Sequence, residues 1–343
     1  MFAVACSLLA PLLARFAVGT AEAAGFQAKT MRAPLATTDV ERGLIIGRGW
    51  LEFDLGGDYK EATGYWGADG TAQTFLDDSG HGAHWLYTTE RAGLRYGIAR
   101  RAELYLNVPF HYVNLKNGLL GTDTSAFGIG DPKMGWKIEW LRKHAPTSSV
   151  ITDLFLKVPA GGESPGTFIG GPNTVSTFPL STGTLDVGLE LAGKQQLGPM
   201  AVTAGIRATH KFSGVTQYVI EVEQYQFLGR FKPGDELRLR LDPEVQLGPV
   251  GVSAELAYAA RAQAAMGTTS GGIIPDQHLT PIAGSDGWSL DLTPALTANV
   301  TRGFDLVAAV DIPLRGEDLT FFPFEDLTPT RGLTYSATLE LRY

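Results

Sequence analysis

Cysteine is all but absent. The 343-residue chain holds one, Cys6, inside a stretch that reads as removable, so disulfides and thiolate-bound metals are excluded as sources of stability. Beyond the N-terminus, no apolar run reaches the roughly 18 residues of a membrane-spanning helix, and none is expected. Positive charge is scarce too. With 28 Lys and Arg against 36 Asp and Glu, the net charge is −8, a poor footprint for nucleic acid, which is not expected as a partner. Heptads are missing, which excludes a coiled coil. Only 19% of residues are charged while glycine reaches 42, a balance that favours many strands and turns over helices.

What is present begins with an export signal. The stretch FAVACSLLAPLLARFAVG is apolar but for Arg15, and Ala21-Glu22-Ala23 offers the small-x-small pattern of a signal-peptidase site. Residues 1–23 are therefore read as a cleaved signal peptide, 24–45 as a periplasmic N-terminal segment and 46–343 as the folded unit. Pro11 and Arg15 interrupt the run that an uncleaved anchor needs.

The folded unit alternates. In DELRLRLD, Leu237, Leu239 and Leu241 are separated by Arg238 and Arg240, and in LTYSATLELRY the apolar residues Leu333 to Tyr343 again fall on one parity. A helix would scatter these leucines around its surface, so the period of two means strands with one apolar face. Twelve such strands are expected near 46–57, 85–96, 101–113, 127–141, 147–159, 184–197, 199–212, 235–247, 249–262, 286–299, 303–315 and 332–343. The connections between them alternate strictly between long and short. Two of the short ones are near copies, QQLGPMAVTAG at 195–205 and VQLGPVGVSAE at 245–255, which suggests repeated hairpins.

A soluble sandwich needs a second class of strand with mostly buried faces, and none is found. The expected fold is all-β, a transmembrane antiparallel up-and-down barrel with long external loops, short periplasmic turns and outer-membrane lipid and lipopolysaccharide around it. Trp50, Trp136, Trp140 and Trp288 lie near strand ends, where interfacial girdles form.

Three stretches, YGIARRAELYLNVPFHY, FGIGDPKMGWK and the long run from KVPAGGESPGTFIGGPNTVSTFPLSTGTLDVGLELAGKQQLGP to HKFSG, resemble the bacterial outer-membrane transporter family named for the meta-pathway of phenol degradation. The similarity spans roughly residues 45–343. It implies a Gram-negative outer-membrane barrel that takes up small hydrophobic or aromatic compounds passively, and it supplies no functional residues to transfer. The closing aromatic Tyr343 resembles the C-terminal signal read by the barrel-assembly machinery. Rival readings are a structural or adhesive barrel without transport and a barrel lipid hydrolase.

If the fold is a barrel, chemistry faces the lumen. Strand parity places Glu52, Asp54, Glu103, Lys137, Glu190, Arg207, Arg238 and Arg240 there as candidate lining residues, within a set of inward charges balanced in sign. Balance points to salt-bridged ladders rather than a strongly ion-selective pore. Phe321, Phe322 and Phe324 in the last long loop are candidates to grip an apolar solute or to pack as a lid. Asp77, Asp78, His81 and His84 have metal-ligand chemistry but read as a hydrated loop, so no metal or cofactor is expected. His210, read as inward-adjacent near Ser213, lacks the context of a barrel lipase, and no enzyme activity is expected.

Overall fold

A computed structural model describes residues 44–67, 69–74, 84–116, 124–144, 147–160, 163–166, 176–179, 183–219, 226–269, 279–281, 285–301, 303–317 and 330–343. These residues form an all-β, closed antiparallel barrel of twelve strands. In chain order they are β1 (Leu51–Ala62), β2 (His84–Ala99), β3 (Ala102–Lys116), β4 (Lys133–His144), β5 (Thr147–Lys157), β6 (Asp186–Leu197), β7 (Met200–Lys211), β8 (Glu236–Leu247), β9 (Val250–Arg261), β10 (Gly287–Thr301), β11 (Phe304–Glu317) and β12 (Thr334–Arg342). Each pairs with its sequence neighbours. Closure comes from β1 against β12, in a register that runs from Glu52 opposite Arg342 to Lys60 opposite Thr334. The chain's last residue completes the seam, because Leu51 and Tyr343 exchange backbone bonds of 3.0 and 2.8 Å.

Burial is inverted relative to a soluble protein. On β6, Glu190 is 3% exposed while its neighbours Leu189 and Leu191 are 52% and 51% exposed. Apolar side chains face out and charges face in, an arrangement that is stable only if the outside is lipid. Trp136 and Trp140 on β4 also face outward, as does Met134. The indole of Trp140 donates to Thr152 Oγ1 at 2.8 Å near one rim, and that of Trp288 to Glu317 Oε2 at 2.6 Å near the other, so each ring has an apolar body and a wet edge.

The hairpins at Leu197-Gly198-Pro199-Met200 and Leu247-Gly248-Pro249-Val250 form as the repeats predict. Gly198 and Gly248 adopt φ of 67° and 65°, a left-handed conformation in which the tight reversal tolerates little else.

Two expected strands differ. The strand expected over 46–57 starts instead at Leu51 and runs to Ala62, because the chain turns at Gly47–Trp50, where Trp50 N–H donates to Gly47 C=O at 3.1 Å. The strand expected over 127–141 is broken. Thr124–Ile129 pairs with the upper half of β3 and β4 with its lower half, separated by Gly130-Asp131-Pro132, where the proline offers no N–H for the ladder. Short strands also extend the rim of long connections: Gly64–Trp66, Ala72–Thr74 and Thr330–Arg331 form one patch, and Gly214–Val219, Gln226–Lys232, Ala265–Thr269 and Thr280–Pro281 another. In the first patch the hydroxyl and N–H of Thr71 both donate to Asp69 Oδ1, at 2.6 and 2.9 Å, which holds that carboxyl below its usual range.

Outer-membrane barrels place tight turns in the periplasm. Epitope tags inserted in the connections 63–83, 158–185 and 262–286 should therefore be labelled on intact cells, and a tag at Gly198 should be silent until the envelope is opened. Surface labelling at Gly198 would reverse the orientation.

Candidate functional site: the charged lumen

Register sets the first ladder. Antiparallel pairing places Glu52 opposite both Arg342 and Arg95, and Glu103 opposite Lys137. Opposite charges on adjacent strands then link in a chain. Arg342 bonds Asp305 at 2.6 Å and also Glu52; Arg95 bonds Glu52 and reaches Glu103 at 2.8 Å; Lys137 reaches Glu103 at 3.3 Å. Glu52 and Glu103 are fully buried. Each meets two cations, as a buried carboxylate requires. Glu52, Asp54 and Glu340 also lie close enough to hold a metal ion in common, but the guanidinium of Arg342 already bonds Glu52 and Glu340, so the charge there is compensated within the protein.

A second ladder spans β6 to β9. Glu190 accepts from Arg207 Nε at 2.8 Å and from Arg240 Nη2 at 2.7 Å, and Glu255 accepts from Arg238 at 3.0 Å with Arg240 3.6 Å away. Arg207 and Arg238 are direct register partners, a like-charge pair that only these carboxylates make tolerable. Nearer the rims, Lys157 meets Asp186 at 2.9 Å and Lys194 meets Glu244 at 3.1 Å.

Between the ladders lie two inward rings that alternation does not reveal as functional or structural. Tyr105 crosses Gly135 of β4 and donates to Asp153 of β5 at 3.1 Å. Phe155 lies over Gly188 of β6, with Lys133 3.9 Å above its centroid. A methyl at Gly135 would come within 2.4 Å of the Tyr105 ring, and one at Gly188 within 1.9 Å of the Phe155 ring. Each glycine is the seat of a ring. Both rings are buried, so this side of the lumen is filled.

The opposite side is open. A cavity of about 370 Å³ is lined by Arg238, Asp242, Ser253, Glu255, Asp291, Thr293, Ala295 and Asp311. Thr293 donates to Asp311 at 2.8 Å and Ser289 to Asp291 at 3.0 Å. The balance of inward charge expected from the sequence therefore does not hold locally, since the described residues that line the open volume include four carboxylates and one arginine, with Lys60 interacting electrostatically with Asp291 and Asp311.

The eight expected lining residues all belong to this interior, but they divide. Glu52, Glu103, Lys137, Glu190, Arg207 and Arg240 sit in the ladders, Asp54 beside Glu52 and Glu340, and Arg238 both in the second ladder through Glu255 and on the cavity. Asp58, paired to Arg91 at 2.8 Å, was outside the expected strand, and Asp242 and Asp311 drew no notice in the sequence. His210 is corrected: it lies on the outer face at the end of β7, half exposed, bonded to Asp235 at 2.9 Å and edge-on to Phe212 at 4.7 Å. Phe321, Phe322 and Phe324, like Asp77, Asp78 and His81, lie outside the described residues.

The division makes an expected outcome. Arg240→Ala should lower the unfolding temperature, since Glu190 and Glu255 both lose a partner. Arg238→Ala should cost less stability, because Glu255 keeps Arg240 at 3.6 Å, and should shift ion preference towards cations, because Arg238 is the one arginine among the described residues that line the cavity. Thermal unfolding and reversal potentials of the two variants, measured side by side, check this; equal effects on both quantities would remove the distinction.

The chain is similar to an outer membrane channel from Pseudomonas putida F1, with a TM-score of 0.64 and 13% identity over 90% of this chain and 100% of that one. The fold is that of an outer-membrane β-barrel. Other similar structures are the translocator domain of the autotransporter NalP from Neisseria meningitidis (TM-score 0.46, 8% identity, 87% of this chain and 88% of that one) and the P. putida toluene transporter TodX (0.42, 10%, 87% and 91%). No protein-family model and no curated protein sequence matches.

Proposed function

We propose that this barrel is a passive channel of the bacterial outer membrane for small solutes, with small hydrophobic or aromatic compounds as the transported class. The observation that supports passage is the polar cavity along β8 to β11, which lies beside packed ladders and is not filled by them. The solute class is supported by the sequence resemblance to the phenol-pathway transporter family. The closing strand with Tyr343 is read as the part the assembly machinery recognises, and lipopolysaccharide as the outer surround.

A structural barrel is the second reading, favoured by the filled half of the lumen. Entry of a neutral aromatic alcohol into lipopolysaccharide-containing proteoliposomes, followed by stopped-flow fluorescence, separates the two. Entry faster than in protein-free vesicles supports transport, and equal rates support the structural barrel.

A further inference from the structure

Four cations crowd one sector of the short-turn rim. Arg48 lies just before β1, Arg100 and Arg101 form the turn between β2 and β3, and Lys143 lies near the end of β4; all four are exposed. Hydrogen bonds to backbone carbonyls tie these segments together. Gly49 N–H donates to Gly97 C=O at 2.7 Å, Arg142 Nη1 to Arg100 C=O at 3.2 Å and Arg101 Nη1 to Trp140 C=O at 3.3 Å. Among the described residues none of the four has an ion-pair partner, in contrast to Arg142, which bonds Glu139 at 2.8 Å. In a chain of net charge −8 the sector is therefore a local excess of positive charge. It is one-sided as well, because the Leu-Gly-Pro turns at 197–200 and 247–250 carry no charge.

The lipid face below these cations is apolar and partly aromatic. Tyr96, Ile98, Trp140 and Leu141 point outward there, Trp140 with 62% of its surface exposed. An acidic protein or peptide in the periplasm would meet the cations alone. A phospholipid meets both parts of the patch, its phosphate on the cations and its acyl chains along the apolar side chains. The short-turn rim of an outer-membrane barrel faces the periplasm, tryptophan sits well at the headgroup level, and a guanidinium fork matches phosphate oxygens. Arg101 spends one donor on Trp140 C=O and keeps the rest of its fork for such a ligand.

We propose that this sector binds an anionic phospholipid of the periplasmic leaflet, with the phosphate held by Arg101 and Lys143 and the acyl chains lying on Trp140 and Leu141. The site stands apart from the lumen, so it does not depend on whether the barrel conducts.

Native mass spectrometry of the folded full chain in detergent micelles, titrated with phosphatidylglycerol or with phosphatidylethanolamine, reads the site. Each cation near a membrane surface is worth roughly fivefold in affinity for anionic lipid, so phosphatidylglycerol should bind roughly tenfold more tightly. Arg101→Gln with Lys143→Gln should abolish that preference, Arg101→Lys with Lys143→Arg should keep most of it, and Lys232→Gln at the opposite rim should leave it unchanged. Equal binding of the two lipids by the unsubstituted protein overturns the site, and so does a preference that survives the double glutamine variant. If that variant does not fold, Lys143→Gln alone decides: a preference reduced several-fold supports the site, and an unchanged one overturns it.

Discussion

Replacing Glu190 by alanine should destabilise the barrel by about 3 kcal/mol, the lower end of the range for breaking a buried ion pair, because Arg207 keeps some contact with lumen water. Glu190 is 3% exposed and accepts from both Arg207 and Arg240. Without it Arg207 faces its register partner Arg238 after losing the carboxylate that bonds it, while Arg238 keeps Glu255. Arg240 still has Glu255 at 3.6 Å, so the loss centres on Arg207. Removing both partners of a buried pair is close to neutral when apolar groups fill the space, so Glu190→Leu with Arg207→Met should recover most of the lost stability. Urea unfolding in lipid vesicles reads both variants. A single substitution that costs nothing would mean that lumen water, rather than Glu190, compensates the arginines.

The second large effect concerns closure. Leu339 lies between Leu55 of β1 and Leu306 of β11, and Leu341 between Phe53 and Phe304, all on the lipid face of the last strand. Arginine on that face costs about 2–4 kcal/mol near the bilayer midplane and about 0–1 near the interface. In β12 the penalty is amplified, because a strand that fails to seat leaves two open sheet edges whose N–H and C=O groups lipid cannot satisfy. Leu339→Arg with Leu341→Arg should therefore abolish the folded, heat-modifiable band. Ser336→Lys is the control. Ser336 is in the same strand but faces inward, opposite Asp58, and its lysine gains a partner, so that variant should fold normally. Equal behaviour of the two variants would contradict the assigned faces of β12.

Much of this was legible from alternation. The leucines of DELRLRLD and the Leu-Gly-Pro hairpins fix strands, faces and turns locally, so β6 to β9 fall within a residue or two of their expected ends. What failed was not local. After Glu139 a bulge sets both Trp140 and Leu141 facing out and returns Arg142 to the lumen, where strict parity would place it in lipid. The seats at Gly135 and Gly188 depend on rings from neighbouring strands, which a single strand's pattern does not show. The burial of Ile45 and Ile46 escaped for a related reason. They are apolar neighbours that break alternation, and their apolarity alone fits a strand start as well as a segment packed on Ile151 and Ala192. Asp58 was missed because β1 runs past the end expected for it, and the acid lining of the cavity emerges only when β8 to β11 are set side by side.

On the proposed channel reading, solutes pass through the lumen along its acidic wall. Single-channel recording of the purified, folded protein in planar bilayers under a salt gradient is the test. Discrete conductance steps are expected, with a reversal potential on the cation-selective side that is reduced in Asp291→Asn with Asp311→Asn. A silent membrane holding folded protein, or anion-selective steps untouched by those substitutions, would contradict it.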